Sequence, residues 1–166
     1  MNKSKVHSDG GCSCGAVRYK LIAGPLVVHC CHCRRCQNQT GSAFALNALF
    51  DSSHIQILQG DVIEIVEETP SGQGQTIARC EKCKIALWSN YFMSGIKEKI
   101  RFLRVGTLDN PDRMPPDVHI FAASKQPWIT LPADAKVYDI FYDYETMWTV
   151  ENNQHRLSLL QASKAE

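Results

Sequence analysis

The sequence predicts a compact, mainly β fold that ends in a single helix. Between residues 15 and 137, short runs rich in branched and aromatic residues follow one another closely, and such runs favour strands. Prolines interrupt the pattern at 110–117 and 125–134, which indicates loops. Residues 145–164 contain neither proline nor glycine, and this change in composition indicates the helix.

The predicted strands are short. Residues 54–60 and 62–68 alternate apolar with polar side chains, and Gly60 and Asp61 between them indicate a turn. The other runs are 16–22, 42–50, 100–108 and 117–122. Apolar residues near the C-terminus recur close to helical spacing, and these are Met147, Val150, Leu157 and Leu160.

Length and composition limit the classes to which the protein can belong. A chain of 166 residues fits one domain, and we expect that domain over residues 10–142 with a helical extension over 143–166. The net charge of +1 offers no attraction to nucleic acid or to an acidic membrane. No apolar run is long enough to span a membrane, and residues 1–11 lack the apolar stretch of a secretory signal. We therefore predict a cytoplasmic protein with neither a nucleic-acid nor a membrane partner.

Seven of the eight cysteines fall in three clusters. Residues 12–14 form a C-x-C motif, residues 31–36 combine C-x-C with C-x-x-C, and residues 80–83 form a second C-x-x-C. Stable disulfides are rare in a reducing cytosol, whereas a C-x-x-C turn places two thiolates on one zinc ion. The combination predicts zinc binding.

The number of clustered thiols suggests two kinds of site. Four ligands close a structural zinc site, whereas three leave a position open for water or substrate. Spacing alone does not decide the pairing, because the two C-x-x-C motifs together would also form a four-thiolate ribbon and leave Cys12, Cys14 and Cys31 unexplained. A thioredoxin-like redox pair is less favoured, because we expect neither C-x-x-C to open a helix within a βαβ unit.

Cys30 differs from the other cysteines of its cluster. If residues 27–33 are extended, Cys31 and Cys33 share one face of the strand while Cys30 points to the other. We interpret Cys30 as a small buried apolar residue rather than as a ligand.

Four segments together resemble a known family. They are GGCSCGAVRYK (10–20), CHCRRCQNQTGSAFA (31–45), CEKC (80–83) and HIFAASKQPWITLP (119–132). In this order they are similar to the glutathione-dependent formaldehyde-activating enzymes, a family that also includes centromere protein V. The resemblance covers residues 10–138, which is most of the chain.

This resemblance implies a β-tent fold that binds two Zn²⁺ ions per chain. The structural ion would be held by Cys12, Cys14, Cys80 and Cys83, and the catalytic ion by Cys31, Cys33 and Cys36. Ser13 stands where many relatives have histidine, at a position not expected to ligate. The tail after Tyr144 has no counterpart in the resemblance, and three roles are open for it: packing, assembly into a homo-oligomer, or closure of the pocket.

Three thiolates give a zinc ion distinct chemistry. The site carries a net charge near −1, so its bound water is harder to ionise than on zinc held by three neutral imidazoles. Such a site suits a soft fourth ligand, above all the sulfur of a thiol substrate, whose pKa it would lower. This argument points to thiol chemistry independently of the resemblance, although a hydrolytic zinc stays open.

The predicted activity is that of a zinc-dependent carbon–sulfur lyase acting on a small thiol adduct. The resemblance implies formation and cleavage of S-hydroxymethylglutathione from glutathione and formaldehyde, so the expected partner is a small thiol such as glutathione. Two alternatives stand beside it: a zinc-stabilised carrier that binds glutathione or another thiol without turnover, and a family enzyme acting on a different small electrophile. A purely structural, chromatin-associated role is disfavoured, because the chain has no basic run.

Candidate residues for proton transfer and substrate binding complete the hypothesis. His119 is the candidate general acid or base, whereas His32, between two ligands, points away from the metal and suits a structural role. The candidate substrate-binding residues are Arg35, Gln37, Thr40, Ser42 and Lys125, with Arg34 able either to bind a carboxylate or to offset the thiolate charge.

Overall fold

The computed structural model describes residues 8–69, 71–92 and 95–164. In these ranges the strands are β1 (Ser8–Gly11), β2 (Arg18–Leu21), β3 (Val27–Cys31), β4 (Ala45–Asp51), β5 (Ile55–Gln59), β6 (Val62–Glu67), β7 (Gln75–Cys80), β8 (Ala86–Tyr91), β9 (Ile100–Arg104) and β10 (Val118–Ile120). The α-helices are α1 (Arg34–Thr40), α2 (Tyr144–Met147) and α3 (Val150–Lys164). The mainly β fold with a C-terminal helix is thus confirmed. Residues 165 and 166 of the predicted extension, and residues 1–7 of the N-terminal segment, lie outside the described residues.

The strands form two open sheets. The small sheet has the order β1-β2-β5, and the large sheet has the order β10-β3-β4-β9-β8-β7-β6. Neighbouring strands run antiparallel throughout, except for β10, which lies parallel to β3. In the register of that parallel pair, His119 lies beside Cys30 and Ile120 lies beside Cys31.

The turn predicted at Gly60 and Asp61 is present, but it does not close a hairpin. β5 pairs with β2 in the small sheet, whereas β6 pairs with β7 in the large one. Gly60 has a φ of +76°, and a side chain at this position would collide with the carbonyl of Ala16. The glycine therefore permits a crossing between the two sheets rather than a return along the first.

The large sheet has a hydrophobic core on each face. The first core joins one face to the small sheet and includes Tyr19, Ala48 and Phe50. The second lies on the opposite face and includes Leu49 and Ile120. Because successive side chains of a strand alternate between faces, β4 contributes Ala48 and Phe50 to one core and Leu49 to the other.

The C-terminal segment covers the second core. Leu159 and Leu160 of α3 pack against it, and Asn152 Nδ2 donates to the Leu26 carbonyl at 2.7 Å. His155 Nε2 lies 2.9 Å from Asp51 Oδ2 on β4. Packing is therefore one role of the tail. The domain boundary at residue 142 stays a prediction.

Within the described ranges, no helix is both long enough and apolar enough to cross a lipid bilayer.

Candidate functional site

A group of four thiols joins the loop after β1 to the turn between β7 and β8. Its members are Cys12, Cys14, Cys80 and Cys83, whose sulfur atoms all lie within 4.8 Å of one another. The sulfurs of Cys14 and Cys80 are 3.8 Å apart, and those of Cys12 and Cys14 are 3.4 Å apart. In a tetrahedral zinc site with Zn–S bonds of about 2.3 Å, neighbouring sulfurs are about 3.8 Å apart. The four-thiol group therefore fits a zinc ion.

Backbone amides support this four-thiol group. The amide of Val17 donates to Cys12 Sγ at 3.2 Å, and the amide of Cys83 donates to Cys80 Sγ at 3.5 Å. The amide of Ile85 lowers the pKa of Cys83 to about 6, because a hydrogen bond stabilises the thiolate. Gly15, with a φ of +73°, allows the turn that brings Val17 back to Cys12.

A second group of three thiols lies where β3 meets α1. Cys31 ends the strand, Cys33 is the N-cap of the helix, and Cys36 lies in its first turn. Their sulfurs also lie within 4.8 Å of one another. The amide of Cys36 donates to Cys33 Sγ at 3.3 Å. Hydrogen bonds from the thiols of Cys31 and Cys36 lower the pKa of Cys33, and the hydrogen bond to Cys33 raises the pKa of Cys31. The three sulfurs therefore converge on one point, as a metal site requires.

The first C-x-x-C motif opens a helix, but not within a βαβ unit. The residues from Cys33 to Cys36 do open a helix directly after a strand, because the Cys33 sulfur caps α1. The unit is nevertheless not βαβ, since β4, which follows α1, runs antiparallel to β3. A third thiol, that of Cys31, joins the pair, and three convergent thiols favour a metal over a dithiol redox couple.

The three-thiol group opens into a cavity of about 440 Å³. Its polar wall includes Arg34, Arg35, Asn47 and Arg104, and its apolar wall is formed by Leu49, Tyr91, Phe102, Ile120, Phe121, Phe141 and Tyr144. The four thiols of the other group are absent from this lining. The four-thiol group lies partly at the protein surface, where Cys14 is exposed, whereas the three-thiol group faces a cavity that a small molecule can enter.

The predicted substrate-binding residues occupy different places. Arg35 lines the cavity, with Nη2 bonded to Glu67 Oε2 at 2.9 Å. Gln37 is buried and donates to the carbonyls of His32 at 2.7 Å and Ser124 at 3.0 Å, so it braces the loop behind the thiols. The lining does not include Gln37, Thr40, Ser42 or Lys125. Thr40 donates to the Cys36 carbonyl, Lys125 donates to the Ile129 carbonyl, and Ser42 is exposed.

His119, on β10, lies on the face of the large sheet opposite the three thiols. Its Nδ1 is 3.0 Å from His32 Nε2, and both rings are buried. Cys30 Sγ lies 3.6 Å from the same His32 nitrogen, so Cys30 is buried on the face that strand alternation predicts. These three residues form a third group within 4.8 Å. His119 lines a separate cleft of about 1160 Å³ rather than the thiol cavity.

The structure adds a histidine that the sequence analysis missed. His29 lines the thiol cavity, and its Nε2 is hydrogen-bonded to the Tyr142 hydroxyl. Trp148 Nε1 donates to that hydroxyl at 2.6 Å. Burial lowers the pKa of His29 to about 3. The ring is therefore neutral near pH 7. Its position two residues before Cys31 on a strand was the available signal.

Arg104 was also missed. It lies on β9, which pairs with β4, and it donates to Asn47 Oδ1 in the cavity wall. Burial lowers its pKa, while negative charge on Cys36 opposes that shift. Because an arginine keeps its charge in proteins, Arg104 offsets the thiolates. Only the pairing of two strands distant in sequence brings it there.

Comparison with known proteins then places the chain. The family model described as "Glutathione-dependent formaldehyde-activating enzyme" matches residues 7–124. The chain belongs to this family. The match confirms the resemblance seen in the cysteine motifs, and the family's description links its members to glutathione and formaldehyde.

Other comparisons add little to the family assignment. Among solved structures, a crystal structure of a Rhodobacter sphaeroides protein matches with a TM-score of 0.47 and 20% identity, covering 63% of this chain and 93% of that chain. No curated protein matches the chain.

Proposed function

We propose that this protein is a zinc-dependent carbon–sulfur lyase that makes and breaks a small thiol adduct, with S-hydroxymethylglutathione as the family's reference product. A C–S bond forms between the thiol sulfur and the carbonyl carbon, and the thiol proton goes to the carbonyl oxygen. The reverse reaction breaks the same bond, and no electrons are gained or lost overall. The observation that carries the proposal is the three-thiol group facing the cavity.

The two thiol groups would have different tasks. Cys12, Cys14, Cys80 and Cys83 would hold a structural zinc, and Cys31, Cys33 and Cys36 would hold the catalytic one. A zinc ion bound by three thiolates supplies an electrophilic position that favours a fourth sulfur and keeps a thiol ionised at neutral pH. The cavity beside the three thiols supplies the room that a substrate sulfur needs.

Positive side chains near the thiols would orient the substrate. Arg34 is exposed at the cavity rim, and its Nη1 donates to Gln37 Oε1 at 2.9 Å. Arginine binds a carboxylate through two parallel hydrogen bonds, a bidentate arrangement, and glutathione carries two carboxylates. Arg104, whose charge interacts with Cys36 and Cys31, would offset the thiolate charge instead of binding the peptide.

His29, which lines the cavity, is the proposed hydrogen-bond donor to the oxygen of the adduct. With the Tyr142 hydroxyl as donor to its Nε2, the ring would keep Nδ1–H as its remaining donor. A neutral donor of this kind stabilises charge developing on the carbonyl oxygen. His119 remains an alternative from the sequence, on the far face of β3.

Exchange spectroscopy tests the proposal. Labelled formaldehyde, glutathione and their adduct are mixed, and the exchange rate is measured by NMR with and without zinc-loaded protein. We expect acceleration by the wild type, loss of that acceleration in Cys33→Ser, and acceleration retained in Cys30→Ala, the matched control one residue from Cys31. Thiol binding with no change in exchange rate would contradict the lyase and favour a carrier.

A further inference from the structure

We propose that the natural carbonyl partner of the thiol is an aldehyde with a bulky apolar, preferably aromatic, substituent rather than formaldehyde. The inference rests on the proposed function and specifies the substrate class of the same site. It follows from the apolar wall that faces the three thiols across the cavity.

This wall is larger than formaldehyde requires. Five half-buried aromatic side chains line it, and they are Tyr91, Phe102, Phe121, Phe141 and Tyr144. Leu49 and Ile120, both buried, complete it. A cavity of about 440 Å³ lies in the range of roughly 300–1,000 Å³ typical of sites for whole small molecules. Formaldehyde brings no apolar group, and glutathione is a charged peptide, so neither uses this wall well.

Mutual contacts hold the aromatic side chains in place. The ring of Phe141 lies 5.7 Å from that of Tyr144, 6.4 Å from that of Phe121 and 5.8 Å, edge on, from that of His29. The Arg156 guanidinium lies 4.0 Å from the centre of the Tyr144 ring. Because the wall is already formed, a ligand binds it without the entropic cost of ordering those side chains.

Phe121 has an uncommon backbone conformation. Its φ is +55°, in the left-handed region that bulky residues rarely adopt. Its amide donates to the Ile140 carbonyl at 2.7 Å, which ties this backbone to the segment that carries Phe141. Strained backbone of this kind is often kept where it presents a side chain to a ligand, and here it sets an aromatic ring in the cavity wall.

Part of the wall is a feature of this chain beyond the family's shared region. The family match ends at residue 124, whereas Phe141 and Tyr144 follow it. The cysteines and three of the wall aromatics, Tyr91, Phe102 and Phe121, lie inside the match, whereas Phe141 and Tyr144 lie outside it. Shared chemistry with a pocket completed by a separate segment is the arrangement expected when a site keeps its reaction and changes the substituent on its substrate.

The reaction itself is unchanged by the larger substituent. The thiol sulfur bonds to the aldehyde carbon, the thiol proton goes to the aldehyde oxygen, and the apolar group on that carbon lies against Phe141. No oxidant or reductant takes part.

Binding of two glutathione thioethers tests the inference without turnover. S-benzylglutathione and S-methylglutathione differ only in the group on sulfur, and their affinities for the zinc-loaded protein are measured by calorimetry. A hydrophobic pocket distinguishes substrates by roughly 10–200-fold for a single methylene, so we expect the benzyl compound to bind at least about 10-fold more tightly. Phe141→Ala should remove most of this preference, and Phe141→Leu should remove part of it.

Ile140→Ala provides the matched control. Ile140 is the neighbour of Phe141, its side chain is 66% exposed and it lies outside the cavity lining, so this variant should keep the preference. Equal affinities for the two thioethers, or equal effects of the Phe141 and Ile140 variants, would overturn the inference.

Exchange rates separate failure of the inference from failure of the proposed function. NMR exchange is measured for the glutathione adducts of formaldehyde, methylglyoxal and phenylglyoxal. We expect the phenylglyoxal adduct to be accelerated at least about 10-fold more than the methylglyoxal adduct. Acceleration of the formaldehyde adduct without an aromatic preference would overturn the inference alone. No acceleration of any adduct would overturn the proposed lyase and, with it, the inference.

Discussion

At the scale of single residues, the three-thiol group depends on the change from strand to helix at Cys33. An extended segment would send alternate side chains to opposite faces, and this is what separates Cys31 from Cys30. The helix that begins after Cys33 then returns Cys36 to the same side, because residues in its first turn face the cap. A strand alone would supply two convergent thiols, and the helix supplies the third.

This geometry predicts which cysteines hold metal. Cys33→Ser should lower the zinc content from two ions per chain to one while the fold is retained, because the four-thiol group on the other face keeps all its ligands. Cys30→Ala should retain two ions, since Cys30 Sγ lies on the face opposite Cys31 and near His32. Elemental analysis with circular dichroism measures both. Loss of the fold in Cys33→Ser would instead support the ribbon built from the two C-x-x-C motifs.

Alternation along one strand was enough to separate the candidate ligand Cys31 from its neighbour Cys30 in the sequence. It assigned Cys31 to one face and Cys30 to the other, and the same rule applied once more would have included His29. Arg104 could not be found in this way. It reaches the thiols only because β9 lies beside β4, and no local pattern encodes that pairing.

At the scale of elements, α3 matters because it covers the face on which the cavity lies. Its contacts join three separate places on the domain: Leu26 through Asn152, Asp51 through His155, and the Gly95 carbonyl through Ser163 at 3.0 Å. Apolar contacts from Leu159 and Leu160 add to these hydrogen bonds. Helix stability in proteins comes mainly from such packing.

The two faces of α3 should differ in their contribution to stability. Leu160→Ala removes apolar contact with the second core, so we expect the free energy of unfolding to fall by about 1–2 kcal/mol, less than for a fully buried leucine. Leu157→Ala, at a position 42% exposed on the same helix, should change it by less than about 0.5 kcal/mol. Urea unfolding curves measure both. Equal losses in the two variants would contradict the packing described for α3.

Prediction of the elements succeeded where the pattern was long and failed where it was short. α3 has fifteen residues without proline or glycine, and this composition predicted it. The apolar spacing did not mark its buried face, because Val150 and Leu157 are exposed. α1 has seven mostly polar residues, too few to show an apolar period, and its only signals were its caps, Cys33 and Gly41. The strands β7 and β8, which flank the second C-x-x-C, were not predicted separately from that motif.

At the scale of the whole molecule, the large sheet separates the two thiol groups. Cys12 and Cys80 belong to the core shared with the small sheet, whereas Cys31 belongs to the core beneath the C-terminal segment. A change at the cavity can therefore leave the other group intact. The separation suits the proposed roles, one group for a structural zinc and the other for a zinc with a position open to substrate.

Buried tyrosines predict how stability depends on alkaline pH. Burial raises the pKa values of Tyr19, Tyr142 and Tyr144, whereas in the unfolded chain they titrate near 10. Below that pH both states hold the phenol protons. Above it the unfolded chain loses protons that the folded chain keeps, so the free energy of unfolding should fall as pH rises beyond about 10.

Tyr19→Phe isolates one of these groups. Tyr19 is fully buried, and its hydroxyl lies 2.7 Å from Thr107 Oγ1. The variant should be less stable at pH 8 but should lose stability less steeply above pH 10 than the wild type. Urea unfolding at each pH, with tyrosinate absorbance recorded in parallel, measures the two slopes. Identical slopes would contradict a buried, protonated Tyr19.

The topology of the sheets was beyond prediction from local patterns. The sequence around Gly60 indicates a turn, yet the crossing from β5 to β6 between two sheets depends on which partners are available, β2 on one side and β7 on the other. The parallel position of β10 beside β3 is likewise a long-range pairing. That pairing places His119 behind the thiol strand instead of in the cavity.

Cobalt substitution would show whether a substrate sulfur occupies the cavity side of the three-thiol group. Thiolate ligands give Co²⁺ a charge-transfer absorption that grows with each sulfur bound. Glutathione should raise this absorption in the cobalt-loaded wild type and leave it unchanged in Cys33→Ser, and S-methylglutathione should have no effect on either. No increase with glutathione in a wild-type protein that holds two Co²⁺ ions would contradict the account.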